Sequence, residues 1–122
     1  MLNRAIISLG SNKDREMNIR RATELLLQYF PSICFSEAVY TEPVACPLSS
    51  SFLNRMALVD TPLSADDLKL VFKQIEVTIG RKPDDKKQGI VPIDIDLLQW
   101  NDRVLKPEDM QREYVISLLA AM

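Results

Sequence analysis

Residues 89–100, GIVPIDIDLLQW, place Asp94 and Asp96 at alternate positions inside an otherwise apolar run. Aspartate is depleted in strands because its short carboxylate packs poorly on a pleated surface and competes for backbone hydrogen bonds, so a pair in one strand needs a reason. Residues two apart on a strand share a face and lie about 6.6 Å apart at a rise of about 3.3 Å per residue. Asp94 and Asp96 are therefore expected on one face, with Ile93, Ile95 and Leu97 on the other. Carboxylates so placed repel each other unless a cation sits between them, and their hard oxygens suit Mg2+, which keeps waters and shares substrate phosphates. The competing account is a solvent-facing edge strand whose charges discourage edge-to-edge pairing.

The preceding loop, RKPDDKKQG, tilts the balance toward chemistry, because Arg81, Lys82, Lys86 and Lys87 lie close in sequence to the carboxylates. Phosphoryl transfer uses both signs of charge: carboxylates hold metal, and cations offset charge on oxygens that bear none. LGSN at residues 9–12 is a small-residue turn whose amides could face an anion, although it lacks the spacing of a Walker loop or a dinucleotide fingerprint and reads first as a plain turn. Asn54, polar within an apolar run, offers a donor and an acceptor to a heterocycle, or equally to neighbouring backbone.

The elements that must position these groups follow from periodicity. Residues 2–9 read as a strand ended by Gly10, Ser11 and Asn12. A helix follows, with Asp14 as expected N-cap and Ile19, Ala22, Leu26, Tyr29 and Phe30 as its buried stripe, until Pro31 ends it. Residues 33–40 and 52–60 read as strands joined by a long loop with the character of a binding loop. Ser64 and Asp67 resemble a capping box opening a second helix, buried through Leu68, Val71, Phe72, Ile75 and Ile79 and closed by Gly80. The acidic strand comes next, then a turn at Asn101 and Asp102 and a short closing helix over about residues 110–122. The order βαββαβα is that of a ferredoxin-like α+β sandwich, an antiparallel sheet with helices packed on it, in one domain spanning residues 1–122.

Composition narrows the function classes. With 47% hydrophobic and 26% charged residues in 122, the chain matches a soluble globular domain. A net charge of -2 argues against a long grip on nucleic acid. The apolar runs are too short for a membrane span and the N-terminus lacks a signal-peptide pattern, so a cytoplasmic location is expected. There is no histidine, and Cys34 and Cys46 are read as reduced, unreactive thiols. Oligomeric state is not legible.

Taken in order, LGSN followed by DRE, TEPV, FLN, IEVTIGR and PIDIDLL resemble the 6-hydroxymethyl-7,8-dihydropterin pyrophosphokinase family across nearly the whole chain to about Leu98. The resemblance implies transfer of pyrophosphate from ATP to a reduced pterin with release of AMP, in folate biosynthesis. It implies that Asp94 and Asp96 hold two Mg2+ ions, and that Thr41, Pro43, Val44, Phe52 and Asn54 line a pterin pocket. It further implies that Lys73, Glu76, Arg81 and Leu97 lie near ATP, that Arg112 in REYV is a phosphate ligand, and that Tyr114 is the second face of a pterin sandwich. Arg81, Lys86 and Lys87 would neutralise phosphate charge, and the loop bearing them is expected to close over nucleotide. The chain departs from the family pattern at Gln88 and Val91, where a tryptophan and arginines are usual, and has KPEDMQRE in place of the proline-histidine-tyrosine stretch of the family's nucleotide site. It also ends soon after Tyr114. Those departures leave two rivals open: a non-catalytic pterin- or nucleotide-binding paralogue, and a structural dimerisation unit with both aspartates simply exposed.

Overall fold

The computed structural model describes residues 2–42 and 51–122. The elements are β1 (Asn3–Ser11), α1 (Arg15–Tyr29), β2 (Ile33–Thr41), β3 (Phe52–Thr61), α2 (Ala65–Ile79), β4 (Asp94–Trp100), β5 (Arg103–Val104), α3 (Pro107–Met110) and α4 (Glu113–Ala120). The sheet order is β2-β3-β1-β4-β5 with antiparallel neighbours throughout. Each long helix crosses over the sheet between strands that are not neighbours, the expected split βαβ arrangement. Two details extend the expectation: a short β5 forms a hairpin with β4, and the closing helix is broken into α3 and α4.

Strand alternation divides the sheet into two covered faces. Ala5, Ile7 and Leu9 of β1, Leu53, Ala57 and Val59 of β3, and Ile95 and Leu97 of β4 join Ile19, Ala22 and Leu26 of α1 and Leu68, Phe72 and Ile75 of α2 in the main core. On the reverse face Met56 and Leu98 pack under Val115 and Leu118 of α4. Strand β4 therefore serves both cores, and its reverse-facing positions carry Asp94 and Asp96 before Leu98.

Local chemistry fixes the helix ends, not always as expected. Asp14 occupies the N-cap position of α1 in a left-handed conformation with φ 46°, and its side chain caps nothing. The Asn18 side chain instead donates to the Lys13 carbonyl at 2.7 Å. Tyr29, expected in the buried stripe, is 49% exposed, while Phe30 just past the helix takes the core position. On α2 the Ser64 hydroxyl accepts from the Asp67 amide at 3.2 Å, as the capping pattern requires. Gly80 closes that helix at φ 120°, its amide reaching the carbonyls of Glu76 and Val77 while the Arg81 amide reaches Glu76. This is a Schellman-type end, and it delivers Arg81 directly beside β4.

A Cβ built on Gly80 would meet nothing within 4 Å, so any penalty for a larger residue there is backbone strain alone. Gly80→Ala is expected to lower stability by about 1–2 kcal/mol, read as a lower urea midpoint with unchanged slope.

Candidate active site

The antiparallel register brings polar groups from three strands into rows on the reverse face. Gly10 of β1 pairs with Asn54 of β3 on one side and Asp94 of β4 on the other. Ser8 likewise lies between Met56 and Asp96. With strands about 4.8 Å apart, the Asn54 and Asp94 backbones are separated by about 9.6 Å, a span suited to a flat bicyclic ring. Gly10 keeps that span open, because a Cβ there would approach Asn54 Oδ1 to 3.2 Å and the Phe52 ring to 3.6 Å. Asn54 is itself oriented by Thr41, to whose hydroxyl its Nδ2 donates at 2.6 Å.

Asp94 and Asp96 share a face as their spacing requires, with Ile95 and Leu97 buried on the other. Arg81 Nη1 donates to Asp94 Oδ1 at 2.9 Å and lies 3.2 Å from Glu76 Oε2. Glu76 also accepts from the Ile95 amide at 2.7 Å, so one carboxylate links α2, Arg81 and the backbone between the aspartates. Burial raises the Glu76 carboxyl above its ordinary range, opposed by the Ile95 amide and Arg81. Asp96 is pushed up to about 7 by burial, by the Asp94 charge and by a hydrogen bond with Asp94, while Lys106 acts in the opposite sense.

Two clefts meet at this pair. The smaller, of about 320 Å3, is lined by Ser8, Gly10, Thr41, Glu42, Phe52, Asn54, Asp94, Asp96, Asp109, Arg112 and Tyr114 among others. The larger, of about 760 Å3, is lined by Lys69, Phe72, Lys73, Glu76, Val77, Arg81, Lys82, Asp94, Asp96, Leu97 and Lys106, with Phe52 again at its wall. The aspartates thus line both clefts, on a stretch of β4 whose outer edge has no strand partner among the described residues, because β5 pairs only with Gln99 and Trp100.

The sequence-based candidates divide accordingly. Thr41, Phe52, Asn54 and Tyr114 gather in the smaller cleft, and Lys73, Glu76, Arg81 and Leu97 in the larger. Arg112 falls in the smaller cleft, its Nε 3.1 Å from Asp109 Oδ1. Lys87 lines neither cleft, and Lys82 lines the larger. Pro43, Val44, Cys46 and the Lys86 side chain lie outside what is described. Ser8, Gly10, Glu42, Lys69, Lys106 and Asp109 went unselected as site residues. Gly10 lies in LGSN, Glu42 in TEPV, and Lys106 and Asp109 in KPEDMQRE, whereas Ser8 and Lys69 lie in no motif.

The basic loop is organised from within and held at both ends. The Asp85 side chain accepts from the Lys82 amide at 2.9 Å, and its backbone carbonyl accepts from the amides of Gln88 and Ile90. Asn12 grips the far end, its Nδ2 donating to the Gly89 carbonyl at 2.7 Å and its Oδ1 accepting from the Val91 amide at 2.6 Å. LGSN is therefore a tether for the loop.

The donor set fits a hard divalent cation that keeps much of its own shell. Among the described residues no cluster of three or more acidic, cysteine or histidine side chains could enclose an ion. Two part-exposed carboxylates, one holding a proton near neutral pH because of burial and the charge of the other, suit an ion completed by water and phosphate. No helix among the described residues is long and apolar enough to cross a membrane.

Residues 6–122 match the family described as 7,8-dihydro-6-hydroxymethylpterin-pyrophosphokinase. The chain is 33% identical to the 2-amino-4-hydroxy-6-hydroxymethyldihydropteridine pyrophosphokinase of Bacillus subtilis, over 90% of this chain and 67% of that protein. It is 31% identical to the folate synthesis bifunctional protein of Arabidopsis thaliana, over 93% of this chain. A further relative is the mitochondrial folate synthesis bifunctional protein of Pisum sativum, 35% identical over 76% of this chain. The chain spans only 26% of the Arabidopsis protein and 18% of the pea protein.

The raised Asp96 carboxyl has a stability consequence. The folded state holds a proton up to about pH 7 that the unfolded chain gives up near 3.8, so its stabilising effect is full below the lower value and is lost as pH rises through the upper. Without divalent ions, the melting temperature is expected to fall by a few degrees between pH 5 and 8. Asp96→Asn flattens this slope and millimolar Mg2+ offsets it; a thermal-melt series across pH would overturn the assignment by showing the same slope in the variant.

Proposed function

The chain belongs to the 7,8-dihydro-6-hydroxymethylpterin-pyrophosphokinase family, and on that premise we propose that it transfers pyrophosphate from ATP to 6-hydroxymethyl-7,8-dihydropterin, releasing AMP, in folate synthesis. The observation that carries this reading is the position of Asp94 and Asp96, which line both clefts at once. A pterin in the smaller cleft and a nucleotide in the larger would meet there.

The smaller cleft has the chemistry for a flat, hydrogen-bonding heterocycle. Asn54 presents an amide oriented by Thr41, and Phe52 and Tyr114 supply ring surface. The substrate hydroxymethyl group would then point at the carboxylate pair. Its oxygen forms a bond to the β-phosphorus of ATP, the bond from that phosphorus to the α-phosphate oxygen breaks, and AMP leaves while the hydroxyl proton is lost.

Asp94 and Asp96 are the residues that would hold two Mg2+ ions, which when bound supply positive charge to the phosphate oxygens. Lys73, Arg81 and Lys82 line the larger cleft and would offset charge on oxygens without metal. Arg81 is fit for this because Glu76 and Asp94 outweigh the effect of burial and raise its pKa above the ordinary value, keeping it charged. Most of the catalytic effect would come from alignment and charge neutralisation.

Two measurements test the assignment. AMP release from ATP, Mg2+ and 6-hydroxymethyl-7,8-dihydropterin is expected to fall by at least about 100-fold in an Asp94→Ala, Asp96→Ala double variant, with its folding checked by circular dichroism. Equal rates in the two proteins would remove the catalytic reading and leave a binding paralogue. Gly10→Ala crowds Asn54, so it should weaken pterin binding about tenfold and leave nucleotide affinity unchanged, as followed by separate titrations.

A further inference from the structure

Lys106 was not selected from the sequence, and the reading above gives it no task. Its ammonium stands 3.8 Å from Asp96 Oδ1, and its side chain lines the larger cleft. Arg81 covers Asp94 from the end of α2; Lys106 covers Asp96 from the segment that follows β5. The carboxylate pair therefore has one cation from each of two separate elements.

The two cations are held differently. Arg81 is hydrogen-bonded to Asp94 and paired with Glu76, whereas Lys106 makes only a contact too long for a hydrogen bond, with a side chain 48% exposed. Such a pair adds little to stability. The backbone beneath it is firm: the amides of Leu105 and Lys106 both donate to the Leu98 carbonyl, at 2.8 and 3.2 Å. Pro107 then opens α3 and restricts the conformation of the residue before it. The result is a fixed base on the strand that carries the aspartates, with a free tip bearing three donors.

We propose that Lys106 is a phosphate-binding residue of the larger cleft, contacting the phosphate chain of the nucleotide on the Asp96 side. The inference rests on the nucleotide reading given above. With a divalent ion on the Asp96 oxygens, the ammonium would lose that partner and be available to phosphate oxygens that carry no metal. A point charge on a flexible stem suits this exchange better than a guanidinium already fixed between two carboxylates.

The test compares wild type, Lys106→Met and Lys106→Arg in the full chain. Calorimetric titration follows a non-hydrolysable ATP analogue with Mg2+, fluorescence follows the pterin, and urea melts follow stability. Lys106→Met is expected to weaken the Mg-nucleotide about tenfold and to raise KM for ATP, with pterin affinity and urea midpoint unchanged; Lys106→Arg recovers most of the loss. Wild-type nucleotide affinity in Lys106→Met overturns the inference and leaves the enzyme assignment standing. A parallel loss of pterin binding and stability also overturns it, because the residue would then be structural. Failure of the wild-type protein to bind Mg-nucleotide overturns the functional reading, and this one with it.

Discussion

The arrangement depends on one guanidinium nitrogen placed between two carboxylates. Arg81 Nη1 is 2.9 Å from Asp94 and 3.2 Å from Glu76, and Glu76 is in turn bonded to the Ile95 amide. Without that bridge, Glu76 would be a buried charge against the main core and Asp94 would face Asp96 with no cation of its own. The bridge exists because α2 ends where it does. Gly80 turns the chain in a conformation costly for other residues, and the next residue is the arginine. Helix termination and site electrostatics are the same event in this fold.

Strand β4 carries a second constraint, because it must satisfy two cores and a site at once. Ile95 and Leu97 face the helices α1 and α2, Leu98 faces α4, and the remaining reverse-face positions are left to the aspartates. Helix α4 covers only part of that face, packing on Met56 and Leu98. The uncovered part holds the row of Asn54, Gly10 and Asp94, and the two residues that begin α4, Arg112 at its cap and Tyr114 in its first turn, border it. The cleft is what remains of the sheet face after a short helix has been laid across it.

Much of this was legible from residue order, and the gaps have physical causes. Period-two alternation placed the aspartates on one face because strand geometry leaves no other choice, and Ser64 and Gly80 marked α2 because their roles are local. Tyr29 was misassigned because helical spacing alone does not separate the last residue of a stripe from Phe30, which leaves the helix in extended backbone and turns inward. Asp14 lies at the expected cap position, but a left-handed backbone aims its side chain away from the amides. Sequence proximity does not separate Lys82, which lines the larger cleft, from Lys87, which does not, because it says nothing about which way a compact turn around Asp85 directs its side chains. Lys106 and Asp109 come close to the carboxylates only through the β4–β5 hairpin and the turn into α3, contacts no periodicity encodes. Gly10 and Ser8 required the register of three strands.

The charge on the clefts explains why both signs are needed at their junction. Among the described lining residues the larger cleft presents five cations against three carboxylates, and the smaller presents four carboxylates against Arg112. A polyanion is drawn to the first and repelled by the second, whereas a neutral heterocycle rich in N–H donors is suited to the second. An overall charge of -2 is therefore no bar to nucleotide binding, since it is the local field that a triphosphate meets. The same field sets a limit: phosphates attracted by the larger cleft run up against Asp94 and Asp96 at its end, where the potential changes sign. On the proposed reading, positive charge must enter between carboxylates and phosphate before the two substrates can approach. The divalent ions proposed for this pair would meet that need, and the proton that Asp96 retains to about pH 7 offsets the carboxylate charge without them.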